Sequence, residues 1–136
     1  MRLGPEINRG GIPAIPLTLD PSSMTACGND YGYDLVFARM VEALGRKGDV
    51  LLAITTSGKS PNVLNALEAA RKTGIVTLSF LGGDGGTAKA LCDQSFIVPS
   101  RKTGRIQEIH ITAGHALMEL IEVDLLAKGA IKRTMS

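Results

Sequence analysis

The sequence predicts an α/β fold built on a parallel sheet, and two observations carry that expectation. Two short, continuous apolar runs, "DVLLAIT" (49–55) and "IVTLSFLG" (75–82), have the character of strands buried on both faces. Segments with helical spacing of apolar residues alternate with them across short glycine-containing turns, the pattern of a parallel sheet with crossover helices.

Taken in order, "MRLGPEINRGG" (1–11) is polar and rich in Gly and Pro, and reads as a linker. "IPAIPLTLD" (12–20) reads as a strand that its prolines push towards a sheet edge. "PSSMTACGNDYGYD" reads as a long polar connection, with turns at Gly28 and Gly32 and with Asp34 as the cap of a helix over "LVFARMVEALGRKG". After the strand 49–55, Ser60 is placed to cap a helix "SPNVLNALEAARKTG", with Pro61 at its first position and Gly74 at its end. The strand 75–82, the turn "GDGG", a short helix "TAKALCD" and a strand "SFIVPS" follow. A final amphipathic helix runs from 105 to about 128, with Ile106, Ile109, Ala113, Leu117, Leu120 and Ile121 as its apolar positions. Four strands make a small doubly wound sheet, and 136 residues form a single domain.

Composition excludes several partners. Fifteen basic residues interleave with thirteen acidic ones for a net charge of +2, so there is no basic stripe for nucleic acid. The absence of tryptophan and 4% aromatics leave no stacking platform for single strands. No apolar stretch is long enough for a bilayer and no signal-peptide core is present, so no membrane contact and a cytoplasmic location are expected. Cys27 and Cys92 have no ligand spacing and read as ordinary thiols.

Three motifs carry chemistry. In "LLAITTSGKSPN" (51–62), Thr55, Thr56, Ser57 and Ser60 stand at the end of a buried strand, where open α/β folds bind ligands. A strand-loop-helix junction there aims N–H groups and a positive helix end outwards, and the hydroxyls add donors without charge, which suits a phosphate monoester. Capping alone explains one hydroxyl, not four. A nucleotide P-loop is excluded by Ala53 in place of its first glycine, by Pro61, and by the lack of a downstream acid for magnesium. The second motif, "GDGGTA" (83–88), matches a dinucleotide fingerprint only formally, because no acid ends the next strand; no nucleotide cofactor is expected. The third, "GRIQEIHITAGH", offers Gln107, Glu108, His110 and His115. Gln107 and His115 are eight residues apart, about 12 Å along a helix. A site using both is therefore built from more than one subunit.

Together, "ACGNDYGYDLVFARMVEALGRKGDVLLAITTSGKSPNVLNALEAARKTG", "GGDGG" and "RIQEIHITAGHALMELIE" closely resemble the phosphoheptose isomerases of the sugar isomerase (SIS) family, from about residue 12 to about residue 126. The resemblance implies a three-layer sandwich with a five-stranded, flavodoxin-like parallel sheet, assembled as a homotetramer with sites between subunits. It implies isomerisation of sedoheptulose 7-phosphate to D-glycero-D-manno-heptose 7-phosphate through an enediol, towards the heptose of lipopolysaccharide. By the family pattern Thr55, Thr56, Ser57 and Ser60 hold the substrate phosphate, Asp30 contacts the sugar, and Gln107 and His115 lie at the reacting end. Those last two positions bind zinc in some members. The chemistry needs a base for the carbon-bound proton and an acid or metal at the carbonyl oxygen; His115 suits the second role, and His110 suits helix packing.

The family also has an N-terminal helix, a strand ending in a "GNGGS"-like loop, and a helix with a glutamate base and a metal-binding histidine. None of these is in this sequence, which is expected to lack the base and a central strand. Lys59 stands where the family more often has a small amide, and Gly104 replaces an acid common before "RIQE". The alternative is a non-catalytic SIS protein that binds a replication initiator or another protein. In those relatives a charged residue interrupts the hydroxyl loop at the place held here by Ser57. A phosphosugar-sensing domain is a third reading, usually found beside a DNA-binding module.

Overall fold

The computed structural model describes residues 9–18 and 20–133. The linker-like residues 1–8 and Leu19, within the expected first strand, lie outside the described residues. The described residues divide into two compact units, one of residues 15–107 and one of 108–133 together with 9–14.

In residues 15–107 a parallel sheet of three strands, β1 (Val50–Thr55), β2 (Val76–Gly82) and β3 (Gln94–Val98), runs in the order β1-β2-β3. Val50 pairs with Val76 and Thr55 with Leu81; Leu78 pairs with Gln94 and Gly82 with Val98. Helices α1 (Pro21–Tyr31), α2 (Val36–Leu44) and α3 (Pro61–Thr73) accompany it, with short 3-10 segments at Tyr33–Leu35 and Thr87–Leu91. Helix α4 (Thr103–Ala127) begins in this unit and continues into the other. The architecture is an α/β sandwich on a parallel sheet.

Alternation along the strands sends Leu51, Ala53, Leu81 and Ile97 to one face of the sheet. There Ala53, Leu81, Leu67 of α3 and Ala88 form a buried cluster, edged by Val63, Leu64 and Leu91. A second cluster joins Ala38 and Val41 of α2 to Ala66, Ala69 and Ala70 of α3 and to Ile75. The same face carries polar side chains satisfied inside the sheet: the Ser79 and Ser95 hydroxyls pair at 2.8 Å. Fully buried Thr77 gives its backbone N–H (2.7 Å) and its hydroxyl (2.9 Å) to the Asp93 carboxylate. The Asp93 N–H donates back to the Thr77 hydroxyl at 3.0 Å. This two-way clasp ties β2 to the start of β3.

Several expectations are corrected. Residues 12–18 form no strand: Pro13 and Pro16 lack the N–H that a ladder needs. The described residues therefore hold three strands, where the sequence pattern predicts four and the family resemblance implies five. Residues 21–31, read as a polar connection, form α1 instead. Asp20 caps it by accepting the Ser22 N–H at 3.0 Å and a bond from the Ser23 hydroxyl, and Pro21 opens it. Asp34 caps nothing; it lies in the 3-10 segment before α2, and its carbonyl accepts from Asn65 Nδ2 of α3 at 2.9 Å. Helix α2 ends at Leu44 with Gly45 at its C-cap, so the first of the two glycines at the end of that segment stops it, as expected. The expected helix "TAKALCD" is a 3-10 segment, Thr87–Leu91. Strand β1 is buried on one face only: Ala53 and Thr55 are buried while Val50 and Ile54 are exposed, because α3 and the 3-10 segment cover the Ala53 side. In α4, Ile106 and His110 are buried as expected of packing positions, whereas Ile109 and Leu120 are exposed.

In the second unit the Arg9 guanidinium pairs with the buried Glu122 carboxylate at 2.7 Å, and an antiparallel bridge joins Arg9 to Arg133. A buried carboxylate is tolerable only with such a partner.

Truncating Leu67, which has no exposed surface, to alanine is expected to cost about 2–5 kcal/mol in urea denaturation. The clasp also predicts a pH dependence. Bonds from the Thr77 N–H and hydroxyl hold the Asp93 carboxyl below the ordinary aspartate range, helped by Arg71. A group with a lowered folded-state pKa stabilises the fold above its unfolded value, and that contribution disappears as pH falls through the folded value. Urea melts of Asp93→Asn below about pH 4 should therefore lose stability less steeply with falling pH than the parent chain.

Candidate functional site

The carboxyl ends of β1 and β2 point the same way, and the loops leaving them meet. From β1 the chain passes through Thr55, Thr56, Ser57, Gly58 and Lys59 into α3. From β2 it passes through Gly82, Gly83, Asp84, Gly85 and Gly86 into the 3-10 segment. A β-carbon on Gly82 would stand 2.4 Å from the Thr56 carbonyl oxygen, and one on Gly58 would stand 2.0 Å from the Gly85 carbonyl oxygen. One on Gly86 would stand 2.6 Å from the Ser57 carbonyl oxygen. Gly58 and Gly86 also have φ of 62° and 54°, a conformation costly for any other residue. The Ala88 N–H then donates to the Gly58 carbonyl at 2.9 Å. Two backbones thus touch with no side chain between them.

This contact shapes the hydroxyl loop. The Thr55 and Ser60 hydroxyls, five residues apart, come together at 3.2 Å, and Thr55 is buried. Ser60 stands at the N-cap of α3 as expected, but its side chain makes no capping bond and turns to Thr55 instead. Whichever hydroxyl donates, the other keeps a hydrogen for a ligand. The Ser57 hydroxyl accepts the Lys59 N–H at 3.2 Å and likewise keeps its own hydrogen. Thr56 is half-buried, and Lys59 is exposed. The loop therefore offers uncharged donors beside the positive end of a thirteen-residue helix.

The remaining predicted residues stand elsewhere. Asp30 is exposed in the last turn of α1, where Asn29 Nδ2 donates to its Oδ1 at 2.9 Å. Next to it, the Arg39 guanidinium lies over the Tyr31 ring, 4.1 Å from its centroid. Gln107 and His115 are both exposed on α4, and eight residues of helical rise keep them about 12 Å apart along it. One chain therefore does not bring them to a single small ligand. Zinc takes four donors, commonly three or four from protein. Among the described residues no group of three His, Cys, Asp or Glu side chains could hold a metal ion. Gln107 and His115 thus stand as separate single donors, and a tetrahedral zinc would need further donors beside either of them. No helix among the described residues is long and apolar enough to cross a membrane.

Sequence reasoning missed the part played by the second loop. "GGDGG" reads as a turn, yet three of its glycines make the close approach to residues 56–58. The run of glycines was the signal, but its partner is a segment some 25 residues away in sequence.

Comparison with known proteins adds a decisive match. The model of the SIS domain covers residues 4–82, more than half of the chain. The chain belongs to the SIS domain family. Within that family it is similar to a phosphoheptose isomerase from a Nitratiruptor species, 57% identical over 114 residues that cover 84% of this chain and 61% of the relative. One from Pelodictyon phaeoclathratiforme is 52% identical over 123 residues, covering 90% and 58%. Among solved structures, phosphoheptose isomerase from Neisseria gonorrhoeae superposes with a TM-score of 0.77 at 46% identity, over 79% of this chain and 61% of that one. Its counterpart from Francisella tularensis gives 0.78 at 42%, over 80% and 59%. This SIS chain spans about three fifths of the length of the relatives it matches.

The interlocked loops of this SIS domain make a stability prediction. Gly58→Ala should cost on the order of 2 kcal/mol or more, from the clash with Gly85 and the positive φ together. Gly104→Ala, with nothing within 4 Å, should leave the melting temperature unchanged or slightly raised. Thermal denaturation of the pair checks both.

Proposed function

We propose that this chain binds a phosphosugar at the hydroxyl loop and belongs to an aldose-ketose isomerase acting on sedoheptulose 7-phosphate. The observation that carries this is the paired Thr55 and Ser60 hydroxyls at the carboxyl end of β1, with Ser57 beside them and Ser60 released from capping. Relatives named phosphoheptose isomerase at 50–57% identity support the substrate class.

In this reading Thr55, Thr56, Ser57 and Ser60 hold the phosphate by donating hydroxyl and backbone hydrogens. Lys59 adds a mobile positive charge at the rim. Such a cradle of neutral donors holds the anion reversibly, as turnover requires. Asp30, anchored in α1, accepts from sugar hydroxyls. His115 polarises the carbonyl oxygen and moves the proton of ring opening, with Gln107 donating to a sugar oxygen. Because Gln107 and His115 are about 12 Å apart along α4, they serve different copies of the site, which requires an oligomer; a homotetramer is the assembly proposed. The reaction also needs a base to take the carbon-bound proton. Zinc enters only as an ion to which Gln107 or His115 gives a single donor. The product, D-glycero-D-manno-heptose 7-phosphate, supplies the heptose of lipopolysaccharide, and the reaction is placed in the cytoplasm.

Isothermal titration with sedoheptulose 7-phosphate, together with an isomerisation assay and a solution mass, tests this reading. Ser57→Ala should weaken sugar phosphate binding about tenfold, the loss of one bond to a charged group. His115→Ala should leave binding intact and abolish any turnover. A folded chain that binds no sugar phosphate would sink the proposal and favour a protein-binding role.

A further inference from the structure

A loop that binds an anion must turn its N–H groups towards the ligand and its carbonyl oxygens away. In residues 57–60 the Gly58 carbonyl is drawn aside by the Ala88 N–H at 2.9 Å. That N–H is delivered by the turn after β2. Two bonds shape the turn: the Gly85 N–H donates to the Gly82 carbonyl at 3.0 Å, and the Gly86 N–H donates to Asp84 Oδ1 at 2.9 Å.

We propose that Asp84 is a positioning residue of the phosphate loop. By holding the Gly86 N–H, its carboxylate keeps the turn seated against Ser57 and Gly58 and keeps the Gly58 carbonyl out of the anion's place. The inference rests on the phosphosugar reading of the hydroxyl loop and adds to it a residue that touches no substrate.

Charge alone argues against an acid here, since a carboxylate near an anion subsite repels the ligand. Its retention is explained by geometry. The side chain is exposed and accepts the Gly86 N–H, in a turn that lies against the Ser57 and Gly58 backbone so closely that a β-carbon at Gly86 would overlap it. The Gly86 amide first, then Asp84's own backbone amide and the nearby Lys59 and Lys89 charges, hold the Asp84 carboxyl below its ordinary range. Lys59 belongs to the hydroxyl loop itself, which offsets the repulsion where the phosphate would sit.

Three variants of the 136-residue chain separate bond from charge. Asp84→Ala removes the acceptor, Asp84→Asn keeps an oxygen acceptor without the charge, and Asp84→Ser offers a weaker acceptor. Each is titrated calorimetrically with sedoheptulose 7-phosphate, and exchange of the Ala88 amide hydrogen is followed by NMR. Asp84→Ala should bind about fivefold more weakly or worse and exchange Ala88 faster. Asp84→Asn should bind as tightly as the parent chain or tighter, with Ala88 protected, and Asp84→Ser should fall between them. Unchanged binding and exchange in Asp84→Ala would overturn the inference. So would Asp84→Asn binding as weakly as Asp84→Ala, because charge and not the hydrogen bond would then be at work. A parent chain that binds no sugar phosphate removes the phosphosugar reading and the affinity half of the inference, while Ala88 exchange still decides the clasp. If Asp84→Ala does not fold, the comparison of Asp84→Asn with Asp84→Ser decides it.

Discussion

The backbone of residues 56–58 lies directly on the backbone of residues 82–86, and the rest of the site depends on that contact. Side chains are absent from the seam: a β-carbon at Gly58, Gly82 or Gly86 would overlap a carbonyl oxygen. Backbone packed on backbone has no rotamers to relax, so the loops leaving β1 and β2 behave as one piece. The Gly58 carbonyl is satisfied by Ala88, and Ser60, at the N-cap of α3, is turned to Thr55. An uncharged cradle at the end of a strand is useful for a phosphate only if its donors are already in place, since flexible hydroxyls would lose the binding energy to ordering.

The opposite end of the sheet is held by different physics. There Thr77 and Asp93 exchange three side-chain hydrogen bonds and satisfy a residue with no exposed surface. The Ser79 and Ser95 hydroxyls pair in the middle of the same face. Polar side chains on a covered face cost stability unless each finds a partner, and here they find one another across β2 and β3. The alanines of α2 and α3 and the Leu67–Leu81 contact then supply the apolar burial around them. The sheet is thus pinned at its amino end by side chains and at its carboxyl end by backbone.

Much of the fold was legible because it depends on local pattern. The apolar runs at 49–55 and 75–82 became β1 and β2, and Pro61 marked the start of α3. Misreadings fell where two local signals compete. Asp20-Pro21 followed by two serines can open a turn or cap a helix, and here it caps α1, a helix with no buried residue and so no apolar stripe to betray it. Ser60 sits at a cap position yet spends its hydroxyl on Thr55, because the interlocked loops bring that partner within 3.2 Å. Asp34 precedes α2 but falls in a 3-10 turn, leaving Leu35 at the cap.

The sequence by itself determined the residue types at the site, the strand that presents them and the family they belong to, since each is written in neighbouring residues. It also determined, through simple helical rise, that Gln107 and His115 are too far apart on α4 to grip one small ligand. Only the tertiary structure decided which hydroxyls pair, where the Gly58 carbonyl points and what Asp84 holds. Those outcomes turn on contacts between segments some 25 residues apart, and no periodicity in a chain encodes which of its loops will touch. Close packing of one backbone against another settles that choice, and it exists only once the sheet has formed.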